Sequence, residues 1–157
     1  MGQENARLMR DLLANRGQLL QQLQELREDT AWTRPEPEEW STVEVLHHVA
    51  DVDQLAVRRF SEMRAGKAAM TGYNIADWEE ARNAAQRDGL AGVLLRLHTT
   101  RQEMLQAISE LSDADLERAA SHPRYGQMTI RQVIEMELRH DLDHAQQIAK
   151  TRAIVEK

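Results

Sequence analysis

Trp40-Ser41-Thr42-Val43-Glu44-Val45-Leu46-His47-His48-Val49-Ala50-Asp51 contains the best-marked boundary in the chain. Ser41 and Glu44 have the spacing of a capping box, in which each side chain accepts the other residue's backbone N–H. Trp40 and Val45 sit where a hydrophobic staple fixes the entry angle of a helix. A helix therefore begins here. Val45, Val49, Val52, Ala56 and Phe60 give it an apolar stripe at helical spacing, and Gly66 is its stop.

Upstream, residues 29–39 hold Pro35 and Pro37 among acidic residues and read as an ordered connector. Before it, Leu8, Leu12, Leu19, Leu23 and Leu26 place a long amphipathic helix over residues 5–28. Downstream, periodicity weakens around Gly72 and Tyr73, and residues 67–89 read as a crossover with a short helical stretch over 75–86 that carries Trp78. Leu90, Leu94, Leu97, Leu105 and Ile108 set a third long helix over 90–111, and Ser112 caps a further short turn. Thr129 and Gln132 form a second capping box, which opens a last helix towards Val155. Four long helices without a repeat or a second-domain linker predict an all-α chain, a single four-helix-bundle domain over 1–157 with a long connection between the second and third helices.

Composition agrees. Hydrophobic residues are 41% of 157, enough to build one core, while aromatics are only 4% and β-branched residues are sparse. The formal net charge of −6, with Arg and Lys interspersed among acids, argues against nucleic acid as a partner. No apolar run approaches the ~20 residues needed to span a bilayer, and the start Met1-Gly2-Gln3-Glu4-Asn5 is not a leader, so a cytoplasmic protein is expected. Cysteine is absent, so a metal site must be built from histidines and carboxylates.

Of six histidines, placement separates ligands from decoration. His48 lies at the edge of the buried stripe of its helix, whereas His47 and Glu44 fall on the polar side. On the last helix Ile130, Val133, Ile134, Leu138, Ala145, Ile148 and Val155 define the apolar face, and both His140 and His144 project from it. Three inward imidazoles converging in a bundle core would leave coordination positions open, which is the plan of a catalytic site. The segment His140-Asp141-Leu142-Asp143-His144 shares only its histidine spacing with the zincin motif, since Asp141 stands where a general-base Glu is required. Two E-x-x-H pairs, Glu44/His47 and Glu137/His140, raise a di-iron alternative, disfavoured because Glu44 is a cap and no matching inward glutamates stand out.

The segment Trp40–Asp51 resembles the W-S-x-x-E-x-L-x-H-[LV] segment of the DinB-like (DinB/YfiT) superfamily. His140-Asp141-Leu142-Asp143-His144-Ala145-Gln146-Gln147-Ile148 is similar to that superfamily's H-x-x-x-H-x-x-Q-[IL] segment, and Gly126-Gln127-Met128-Thr129-Ile130-Arg131 to its G-x-[MF]-T-[IL]-R lead-in. The resemblance implies a bundle in up-down-down-up order and one divalent metal, nickel, zinc or iron, on His48, His140 and His144. It further implies a hydrolase or a transferase using a low-molecular-weight thiol, a small-molecule substrate and a homodimer. Because the chain lacks cysteine, any thiol must come from outside.

Around that site Glu137 lies on the face of His140 and His144 and is the candidate base, with a structural salt bridge as the competing role. His98 and Arg101 fall in the stripe of the third helix, where Arg101 either grips a substrate carboxylate or pairs with a neighbouring acid. Gln147 matches the motif without an assigned role, and His122 reads as a surface residue. Trp32, Trp40 and Trp78 are expected to seal a core end, and Met63, Met70 and Met136 hint at a subunit contact. The rival to an enzyme is a non-catalytic helical module whose metal only stabilises it.

Overall fold

The structure, a computed structural model, describes residues 1–73 and 75–157, with side chains outside 75–78; the Trp78 expectation thus lies outside the described residues. Its elements are α1 (Gln3–Gln21), α2 (Glu28–Ala31), α3 (Thr42–Arg64), α4 (Ile75–Ser109), α5 (Asp113–Leu116), β1 (Ala119–His122), β2 (Gly126–Thr129) and α6 (Ile130–Val155). α4 is two helical pieces, because Gly89 takes φ 73° and ψ 169° and breaks the run. That break falls between the expected short stretch and the third long helix.

All three capping boxes form, at Ser41/Glu44, Ser112/Asp115 and Thr129/Gln132. α3 ends in a Schellman turn: Gly66 at φ 80° turns the chain, its N–H donates to the Met63 carbonyl, and the Lys67 N–H to that of Glu62. One boundary needed correction. α1 stops at Gln21 rather than 28, where successive i→i−3 bonds and Glu25 at φ 57° turn the chain. Leu23 and Leu26 still pack on the core from this turn, and the Arg152 guanidinium caps the Gln22 and Gln24 carbonyls at 2.6 and 2.9 Å. The all-α class holds, with a small hairpin added: β1 and β2 pair antiparallel from Ala119↔Thr129 to His122↔Gly126, and residues 68–70 join the β1 edge. Ala119-Ala120-Ser121-His122 offers no alternating apolar pattern by which a strand is recognised.

The core is divided into two apolar clusters. One holds Leu8, Leu12, Phe60, Met104, Ile108 and Ile134; the other holds Leu19, Val45, Leu46, Val93, Leu97 and Ile148. α1 and α6 run from the first cluster to the second, and α3 and α4 run the opposite way. Parallel neighbours such as α3 and α4 require a long crossover, which residues 65–89 supply. Between the clusters each long helix contributes one buried charge: Arg16, Asp53, Arg101 and Asp141. Arg16 Nη2 reaches Asp53 at 3.2 Å and Asp141 at 3.1 Å, while Arg101 reaches Asp53 at 2.9 Å and Asp141 at 2.8 Å. The Thr100 hydroxyl also donates to Asp53. Two cations and two anions balance at this polar waist, which is how such groups can be buried at all.

Candidate metal centre

His48 rises from the second turn of α3, and His140 and His144 stand one turn apart on α6. Their rings meet through Nε2: His48 lies 3.2 Å from His140, and His140 lies 2.9 Å from His144. One ligand nitrogen from each falls within 4.8 Å of the others. Nitrogens bound to one ion at about 2.0–2.1 Å are separated by this order of distance, so the three rings fit a single cation.

Burial, reinforced by mutual repulsion, pushes His48 down to about 3 and His140 down to about 2, and burial lowers His144 as well. All three are therefore neutral near pH 7, the state in which imidazole is a ligand. The Gln147 side-chain oxygen lies 2.7 Å from His144 Nδ1. With Nδ1–H donating to that oxygen, the Nε2 lone pair of His144 turns towards the other two rings. Trp40 is buried against His48 with ring centroids 4.9 Å apart. Trp32 is half-buried in the connector, its indole N–H donating to Glu28.

A cleft of about 870 Å³ opens in front of the triad, lined also by Arg59, His122, Met136 and Glu137. Glu137 is buried on α6, one turn before His140, and its carboxyl has no hydrogen bond or ion pair among the described residues. Burial first, then the nearby Asp53 charge, push it up to about 8. His122, expected at the surface, is half-buried at the hairpin and faces this cleft.

Other assignments change. His47 and Glu44 are not on a polar side, because the connector before α3 and the helix α4 cover that flank and bury Thr42 to Ala50 throughout. Glu44 combines its capping role with an ion pair to Arg34 at 2.6 Å, and His47 sits among Asp51, Asp88 and Arg96 in a separate cleft. His98 is exposed. Arg101 neither grips a substrate nor snorkels to an edge; it is locked in the polar waist, whose members no local spacing could reveal. Among the described residues no helix is long and apolar enough to cross a membrane.

Fold and triad together define a helical bundle with a three-histidine pocket, and residues 11–148 match the sequence profile of the DinB superfamily. The chain belongs to that superfamily. Protein YuaE of Bacillus subtilis (strain 168) is 26% identical over 137 residues, 79% of this chain and 84% of that protein. YfiT from Bacillus subtilis, described as a probable metal-dependent hydrolase with an unusual four-helix bundle topology, superposes with a TM-score of 0.80 at 18% identity, covering 98% of this chain and 89% of its own. The mycothiol-dependent maleylpyruvate isomerase gives 0.77 at 10% identity over 90% of this chain and 59% of its own. The colibactin self-resistance protein ClbS, solved in complex with a double-stranded DNA, gives 0.70 at 15% identity over 95% of each chain.

The ClbS complex corrects the expectation of no nucleic-acid partner. Net charge is a poor criterion, because duplex binding depends on where the cations lie on a surface rather than on their sum.

Proposed function

We propose that the protein is a mononuclear metal-dependent enzyme acting on a small molecule, as a hydrolase or as a transferase that uses an external low-molecular-weight thiol. The observation that carries this reading is the meeting of three neutral imidazole Nε2 atoms beside an open cleft. A divalent cation held there would polarise a water or a thiol towards its anion. His48, His140 and His144 hold it, and Gln147 sets the direction of His144. Glu137 takes and returns a proton in this reading, being buried in the same lining, where burial pushes its carboxyl up to about 8. YfiT is described as a probable metal-dependent hydrolase and the isomerase as mycothiol-dependent, and both chemistries require only an open position on the ion.

Elemental analysis of untagged protein after reconstitution with nickel, zinc or iron tests the reading. Near-stoichiometric metal in wild type and its loss in His48→Ala, His140→Ala and His144→Ala are expected. Metal content unchanged by these substitutions would place the ion elsewhere and remove the basis of the proposal.

A further inference from the structure

The cleft in front of the triad holds a second chemical group that the metal reading leaves unused. Arg59 on α3 is 5% exposed and lines the cleft. Its Nε–H donates to the Thr71 carbonyl at 2.9 Å, which ties the crossover to α3. Among the described residues no hydrogen bond takes up its two Nη groups, and neither is sealed from the cleft. Two carboxyls act on its charge: Glu137, in the same lining, makes no hydrogen bond to the guanidinium among the described residues, and Glu62 is already committed to Arg58 and Thr71. A guanidinium taken this far out of water, with its planar fork unoccupied, is a preformed receptor for an oxyanion.

Across the cleft, the His122 Nδ1 accepts the backbone N–H groups of Arg124 and Tyr125 at 3.0 and 3.2 Å, so the neutral ring carries its proton on Nε2 as a second donor. Burial and the Arg59 charge together lower His122, as expected of two groups facing one space.

We infer that Arg59 is a substrate-binding residue, and that the substrate is a small organic acid whose carboxylate is clamped by the Arg59 fork while its reacting end lies at the three histidines. Only the second half of this statement rests on the proposed metal site. His48 and Arg59 stand eleven residues apart on one helix, about 16 Å along its axis, and the arginine side chain leans back towards the helix N-terminus over part of that span. The acid is therefore an extended molecule.

Isothermal titration of the full chain with hexanoate and with its neutral analogue hexanamide tests this, on wild type, Arg59→Met and Arg59→Lys, with metal content and thermal unfolding measured on each preparation. Hexanoate is expected to bind wild type at least about tenfold more tightly than hexanamide, and to lose at least about tenfold in Arg59→Met. Arg59→Lys, which keeps the charge but loses both the fork and the Thr71 tether, falls between. Absence of hexanoate binding to wild type, equal affinity for the two probes, or equal affinity in wild type and Arg59→Met overturns the proposal. Hexanoate binding that depends on Arg59 in protein without metal would sustain it while the metal reading fails; retained metal with Arg59-independent binding gives the reverse.

Discussion

His48, His140 and His144 were legible because helical phase alone separates an inward imidazole from an outward one. His47 was misread because phase says nothing about a connector folding over the far side of a helix. Gln147 was visible as a motif position, yet its task appears only as the 2.7 Å contact to His144 Nδ1. Gln147→Leu is expected to weaken metal affinity by roughly 10–100-fold with the fold intact, measured by chelator competition. The titrating groups give opposite pH signs. His48 and His140 have folded values depressed below the ordinary imidazole range, so the unfolded chain takes up protons that the folded chain refuses. Stability of the metal-free protein falls as pH drops through about 6.5. Glu137 is raised, so the folded state binds the extra proton and stability falls as pH rises from about 4.5 towards 8. Glu137→Gln should therefore raise the melting temperature at pH 8 and leave it nearly unchanged at pH 4.5. The same gain at both pH values would show that the carboxyl titrates normally.

At the level of elements, starts were read more surely than ends. A capping box is a local pairing of two side chains with two backbone groups, so Ser41/Glu44 and Thr129/Gln132 announce α3 and α6 in the sequence itself. The end of α1 depends on Arg152, some 130 residues away, and leaves no local sign. The hairpin of β1 and β2 was missed for a related reason, since its edge is completed by residues 68–70 of the crossover. Gly66 is a stop that the sequence did show. Gly66→Ala is expected to cost about 1 kcal/mol in urea unfolding, from the left-handed backbone alone, because a methyl group there meets no other atom within 4 Å. A loss of several kcal/mol would mean that the turn bears contacts beyond its own backbone.

Across the whole molecule, the polar waist joins four helices through residues 37 to 125 positions apart, which is why Arg101 was read only against its neighbours. Removing one member strands the others. Asp53→Ala leaves Arg16 and Arg101 competing for Asp141 and is expected to destabilise by about 3–5 kcal/mol. Replacing all four members together with apolar residues of similar volume should cost much less. Denaturant midpoints of the single and quadruple variants decide this, and equal losses would show that size rather than charge matters at the waist.

The waist also bears on the order of assembly. Each apolar cluster can begin to gather from a few helix segments, but no charge of the waist can leave water until all four helices are in place around it. Closure of its ion pairs after the rate-limiting step of folding is the expectation, and chevron kinetics of Asp53→Ala test it. Asp53→Ala should act almost wholly on the unfolding limb of the chevron, and the four charges then serve as a late latch that sets the lifetime of the native state.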